Sequence, residues 1–256
     1  GELFWAILMA GYKPLLIDAK ISKEGTQNIL LQSKATAIIT DDIYSYDVVK
    51  ISTSDVLDVK PHEHYDPLWD DEIIFCSSGT TGDVKLMVYN GRAISHQLCC
   101  SLDMPKETKA IMYPKSLGKI KILAMIPFHH IFGFVAVFLW YSYYGKTIVF
   151  PSAIIPSEIQ KICQKTGVTH VYSVPLFWDS LALGIRRKVD LLEEDKKRIF
   201  TKMMEYNLGQ ISKAEAGKAG WDITRKTIQK MLLGSKVKFC ISGGGSDSTI
   251  LARRSS

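Results

Sequence analysis

No run in this chain free of both charged residues and histidine is long enough to cross a bilayer as a helix. Ile131 to Tyr144 comes nearest, bounded by His130 and Lys146, but a span needs about 20 residues. A buried helix is the expectation there. Cysteine is scarce, with five in 256 residues, at 76, 99, 100, 163 and 240. The number is odd, the chain is not small and the spacings do not suit a metal site. That argues against a disulfide framework and for reduced thiols in a cytoplasmic protein. The start, Gly1-Glu2-Leu3-Phe4-Trp5, lacks an initiator Met, a basic n-region and a cleavage pattern. It reads as the middle of a helix, so the chain is expected to begin inside a larger protein. No single sign of charge dominates: 32 Lys and Arg stand against 26 Asp and Glu, a net +6. Arg186-Arg187-Lys188 and Lys196-Lys197-Arg198 are interspersed with Asp190, Glu193, Glu194 and Asp195, a mixture that reads as a solvated helix face. No aromatic residues interleave these runs, which argues against a nucleic-acid partner.

The chain does have a core. Apolar content of 46% with 23% charged residues fits a globular protein large enough to bury a sizeable interior. Strand-like and helix-like stretches alternate. Tyr12 to Asp18, Ala37 to Thr40, Ile122 to Ile126, Lys146 to Phe150, Val168 to Ser173 and Val237 to Ser242 suit strands. Leu3 to Ala10, Lys23 to Ser33, Arg92 to Leu102, Phe134 to Tyr144, Ser157 to Thr166, Leu181 to Leu208 and Ala216 to Leu233 suit helices. The alternation predicts an α/β fold of layered sheets with parallel pairing and helices packed around them. His62 and His64, on a polar loop with Pro61 and Pro67, read as surface positions, since nothing else nearby has ligand spacing.

One stretch organises the rest: Ile73-Ile-Phe-Cys-Ser-Ser-Gly-Thr-Thr-Gly-Asp-Val-Lys85. Ile73 to Cys76 reads as a buried strand. Ser77, Ser78, Gly79, Thr80, Thr81 and Gly82 cannot build a core, but they can present backbone N–H groups and hydroxyls to an anion. Lys85 adds a positive charge, and Leu86 to Tyr89 returns as a strand before the turn Asn90-Gly91. A loop held between two strands would be a stiff clamp for nucleotide phosphates. A Ser/Thr-rich surface turn is the alternative. A Walker loop is not, because G-x-x-x-x-G-K-[ST] would need Gly at Val84 and Ser or Thr at Leu86.

Two further segments stand beside this loop. Pro127-Phe-His-His-Ile-Phe-Gly133 follows a strand and precedes a helix, the place where α/β sheets bind ligands. Gly243, Gly244 and Gly245 follow Ser242 at another strand end, suited either to close backbone approach to a flat ligand or to a simple turn.

The pattern S-S-G-T-T-G-x-x-K resembles the signature of the adenylate-forming superfamily, which includes acyl-CoA synthetases, luciferases and adenylation domains of peptide synthetases. Val84 stands where relatives often have Pro, and Asn90-Gly91 where they commonly have Thr-His. Pro127, His130 and Gly133 resemble the Pro-x-x-His-x-x-Gly motif of the same enzymes. Ala10-Gly11 through Asp18 and Val168 through Pro175 resemble two of its structural segments, and Ser242-Gly-Gly-Gly245 its Ser-Gly-Gly-Ala. The resemblance implies ATP and Mg²⁺ as cofactors and coenzyme A as co-substrate. It implies phosphate binding by Ser77, Ser78, Gly79, Thr80, Thr81, Gly82 and Lys85, with Thr80 and Thr81 as metal contacts. Lys85 and His130 become the catalytic residues, His130 orienting the carboxylate, with His129 the weaker candidate. Phe132, Gly133, Ser242, Gly243, Gly244 and Gly245 would line the acyl and adenine pocket.

The implied reaction joins a carboxylic acid to ATP and passes the acyl group to coenzyme A. The insertion between Pro175 and Val237 resembles medium- and long-chain fatty acyl-CoA ligases, so a fatty acid is the expected substrate. Peripheral membrane contact is compatible with it. An adenylation domain that loads a carrier protein, or a non-catalytic nucleotide- or acyl-binding module, are the alternatives. Residues 1–256 are expected to be part of the large N-terminal AMP-binding domain, its start and the C-terminal domain absent. Alone they are expected to be inactive. No Tyr-Gly-x-Thr-Glu segment, ribose-binding Asp segment or C-terminal catalytic Lys is recognisable.

Overall fold

A computed structural model describes residues 1–60, 64–78, 84–100, 119–220, 226 and 233–243. The chain divides into two compact units. One comprises Gly1–Cys100 with Pro127–Ile131; the other comprises Ser101–Ile126 with Phe132–Ser256.

In the first unit, β1 (Leu15–Leu16), β4 (Glu72–Ser78) and β5 (Val84–Asn90) form a sheet in the order β1-β4-β5. β1 runs parallel to β4, and β4 antiparallel to β5. A second small sheet pairs β2 (Ala37–Ile39) with β3 (Val49–Ile51) in parallel. Both units carry parallel pairs flanked by helices, as the α/β pattern predicts. Period-two burial sorts β4: Ile73 and Phe75 are buried on one face, while Ile74 and Cys76 are half-covered.

Helix Lys23–Ser33 starts where predicted, because the Ser22 hydroxyl accepts the Gly25 N–H at 3.1 Å. It buries Ile29 and Leu30 and stops at Lys34, which is left-handed. Helix Glu2–Met9 ends before Gly11, whose φ is +77°. A Cβ at Gly11 would lie 2.9 Å from the Leu68 Cβ. Glycine therefore admits the segment that docks there, which donates from Leu68 N–H to Met9 O and from Asp70 N–H to Leu8 O, both 2.9 Å.

The Asn90-Gly91 turn is instead a helix start. Helix Gly91–Cys100 follows β5 directly, with the Asn90 side-chain oxygen accepting the Ala93 N–H at 2.9 Å. Tyr12 to Asp18 pairs only over Leu15–Leu16. Helix Thr53–Leu57 is capped by Ser52 and Asp55.

The second unit is built on an all-parallel sheet in the order β7-β6-β8-β9: Thr147–Val149, Lys121–Leu123, His170–Ser173 and Phe239–Ser242. All four residues of β8 are buried, as expected of a strand covered on both faces. One face carries Leu123 and Val171. Ile159 and Cys163 of helix Pro156–Thr166 pack there with Phe177, Val168, Leu233 and Val237. The other face carries Ile122, His170 and Tyr172, covered by Tyr141.

The predicted helix over Phe134 to Tyr144 is a π-helix over Gly133–Leu139, continued by an α-helical turn over Trp140–Tyr143. The charged insertion forms two helices, Pro175–Asp190 and Glu194–Asn207. Its mixed charges pair along one surface: Lys196–Glu193 at 3.0 Å, Lys197–Glu194 at 2.7 Å and Arg198–Asp195 at 3.0 Å. Exposed pairs of this kind contribute little stability. Where the sequence suggests a helix from Ala216 to Leu233, a short helix, Lys213–Ala216, instead ends and a 3₁₀ turn, Gly217–Gly220, follows. Residues 221–225 and 227–232 lie outside the described residues. No described helix is long and apolar enough to cross a membrane.

Candidate functional site

The candidate residues of the first unit lie toward one end of its sheet. β4 and β5 pair over seven residues each, from Glu72 opposite Asn90 to Ser78 opposite Val84. Ser77 stands opposite Lys85. Both strands are longer than predicted, and β4 claims Ser77 and Ser78, which the sequence had suggested for the loop. The ladder explains this: each residue added to an antiparallel pair satisfies backbone donors and acceptors that the loop would leave open. Lys85 is exposed. Gly79, Thr80, Thr81 and Gly82 lie outside the described residues, so the suggested metal contacts through Thr80 and Thr81 do too. Among the described residues no cluster of His, Cys, Asp or Glu suits a metal ion. Burial pushes the Cys76 thiol up, which leaves it a poor nucleophile.

Strand β1 pairs in parallel with β4, Leu16 opposite Phe75. The chain therefore reaches Asp18 two residues later, on the side of the sheet where β4 reaches Ser77. The Asp18 carboxylate accepts the Lys20 N–H at 3.0 Å through Oδ1. Its Oδ2 lies 3.7 Å from Nε2 of His129. His129 and His130 sit on a tight turn closed by the His130 N–H donating to Pro127 O at 3.2 Å. Their rings are 4.2 Å apart between centroids. His130 is exposed, whereas the His129 side chain is 18% exposed. Burial chiefly, and His130 next to it, pull the His129 imidazole below its ordinary value; Asp18 acts in the opposite direction. The sequence made His129 the lesser of the two and gave Asp18 only a structural place. A carboxylate after one strand and a histidine after another carry no spacing signal that would join them.

In the second unit the strand order places β6 between β7 and β8, so successive connections from β6 and β7 leave on opposite sides. This reversal point is where open α/β sheets hold ligands, at the carboxyl ends of the strands. Ser242 ends β9 and is exposed; Gly243 follows, donating its N–H to Ser173 O at 3.1 Å. A Cβ on Gly243 would lie 2.6 Å from the Phe132 ring. Phe132 faces Tyr172 at 6.4 Å between centroids. The structure therefore brings Phe132 and Gly243 together, and Gly133 is buried at the start of the π-helix. Gly244 and Gly245 lie outside the described residues. Below Phe132, the hydroxyls of Tyr141 and Tyr172 are 2.6 Å apart in a buried bond. His64 is exposed, and His62 is outside the described residues.

The family model for AMP-binding enzymes matches residues 2–254. The chain belongs to that family. It is 30% identical over 112 residues to the 4-chlorobenzoate–CoA ligase of an Arthrobacter species, covering 44% of this chain and 20% of the ligase. Its fold is shared with o-succinylbenzoate CoA synthetase (MenE) from Bacillus subtilis in complex with the acyl-adenylate OSB-AMP. That match has a TM-score of 0.55 at 20% identity, over 69% of this chain and 46% of MenE. ATP-bound MatB from Rhodopseudomonas palustris matches with a TM-score of 0.54 at 14% identity, over 70% of this chain and 37% of MatB. The chain thus spans less than half the length of these relatives. The fold is that of adenylate-forming enzymes.

Proposed function

We propose that this chain forms the phosphate-binding and acyl-binding part of an AMP-forming acid–thiol ligase. The observation that carries this is the β4–β5 pairing, which sets the exposed Lys85 opposite Ser77 at the end of the ladder where the sequence continues as Gly-Thr-Thr-Gly. A carboxylate attacking the α-phosphate of ATP needs positioning and charge stabilisation of the departing pyrophosphate more than covalent help. Ser77, Ser78, Gly79, Thr80, Thr81, Gly82 and Lys85 supply hydrogen-bond donors and a cation. Mg²⁺ accompanies the triphosphate, with Thr80 and Thr81 nearest it. His130 orients the carboxylate, and Phe132, Gly133 and Ser242 to Gly245 shape the acyl and adenine pocket. Coenzyme A accepts the acyl group in the second half-reaction. Residues 1–256 act as part of a large N-terminal domain.

The two-helix insertion between Pro175 and Asn207 supports a fatty acid. An aromatic acid is the second reading. It is favoured by the matched relatives, whose names concern 4-chlorobenzoate and o-succinylbenzoate. Carboxylate-dependent exchange of labelled pyrophosphate into ATP tests both, using the longest protein the source encodes. Exchange with palmitate and shorter fatty acids supports the first reading, and exchange with benzoates the second. A folded protein that binds ATP but exchanges with no acid would instead be a non-catalytic module. Transfer to a carrier protein but not to coenzyme A would identify a loading domain.

A further inference from the structure

We propose that Asp18 and His129 form a positioning pair that holds His130 in place for the adenylation step. The inference rests on the functional reading above, because it takes His130 as the group that meets the carboxylate.

The geometry supplies the reason. His130 is exposed, and among the described residues its side chain has no hydrogen bond. What steadies it is the turn from Pro127 and the ring of His129, tilted at 51° with centroids 4.2 Å apart. His129 is in turn mostly covered and faces the Asp18 carboxylate at 3.7 Å. Asp18 is itself anchored by the Lys20 N–H, two residues beyond the β1–β4 pairing. A path of contacts therefore runs from the strand pairing through Asp18 and His129 to His130. With its Nε2 toward a carboxylate, His129 has an electrostatic reason to keep that ring edge turned to Asp18. An exposed imidazole without such a neighbour would sample several rotamers. A displacement of about 1 Å at a reacting group can cost roughly a hundredfold in rate.

Asp18 and His130 are the titratable groups that the described residues set against His129. This gives a readout separate from activity. In the longest available protein, Asp18→Asn should lower the NMR titration midpoint of His129, and His130→Gln should raise it. A midpoint that moves in neither variant overturns the pairing.

The activity readout is pyrophosphate exchange at saturating ATP. Asp18→Asn and His129→Gln should each lower kcat by about tenfold with KM for ATP unchanged, and the double variant should be no slower than the worse single one. Exchange untouched by Asp18→Asn, or a double variant whose losses multiply, overturns the positioning role alone. A wild-type protein that exchanges with no acid overturns the functional reading, and with it the role of the pair, whatever the titration shows.

Discussion

Ser77 and Lys85 face each other across the β4–β5 ladder, the next-to-last rung before the strands part. Strand pairing fixes the Lys85 backbone, so an anion bound by its side chain would cost little backbone freedom. Lys85→Ala should slow pyrophosphate exchange by about a hundredfold, the loss typical of removing one preorganised donor. Melting temperature should stay within a few degrees, since Lys85 is exposed. An unchanged exchange rate would remove Lys85 from the phosphate site.

Gly243 lies so close to Phe132 that even a methyl group would displace the ring, with Cζ 2.6 Å and Cε1 2.7 Å from the added carbon. The ring tip can swing, so Gly243→Val should fold. The displaced ring should raise KM for the acid by about tenfold or more, as expected for a lost pocket wall, with KM for ATP little changed. Adding Phe132→Leu should recover much of the loss. Steady-state kinetics on the best acid of the panel checks this, and a rise in both constants would point to general distortion.

The Tyr141–Tyr172 hydroxyl bond is buried beneath the same ring. Tyr141→Phe should leave the Tyr172 hydroxyl without that partner and cost about 1–3 kcal/mol in urea unfolding. Converting both to Phe should cost less than the sum of the single changes, because the second removes the stranded group. Additive losses would mean the bond contributes nothing of its own.

The same pair makes stability sensitive to alkali. Burial pushes the Tyr172 phenol up to about 12, against a lowering by its bond with Tyr141. Tyr141 is also pushed up, by burial first and then by Tyr172. An unfolded tyrosine loses its proton near pH 10. Between these values the native state holds more protons, so its stability falls as pH rises. The contribution is complete below about pH 10 and disappears as pH rises through the native values. Thermal melts from about pH 9 to about pH 11.5 should show this decline, and the double Phe variant should show less of it.

Much of the fold was legible in local chemistry. Ser22 before Lys23, Pro156 at a helix start and Gly167 after Thr166 mark helix ends through capping and backbone geometry, and those helices stand where the sequence places them. Strand lengths were less legible. Whether Ser77 and Ser78 extend β4 depends on a partner strand, and whether Tyr12 to Asp18 pairs fully depends on what lies beside it. Neither neighbour is written in the residues themselves. The π-helix was hidden for a related reason, because an apolar run looks alike in either winding.

At the site, motif spacing pointed to Lys85, His130 and Phe132 because each sits in a short contiguous signature. It said nothing to join Asp18 with His129, or Tyr141 with Tyr172. Those contacts are made by residues that only the packing of separate elements brings together.

The turn from Pro127 to Ile131 belongs to the first unit although β6, just before it, belongs to the second. That interleaving orders events during synthesis. Residues 1–100 can pair their strands before the turn that carries the two histidines has left the ribosome. Asp18 must wait for more than a hundred further residues to meet His129, a contact of high sequence separation and therefore slow to form. The hairpin can be in place early, while the histidine end of the site is completed late, after β6 has emerged.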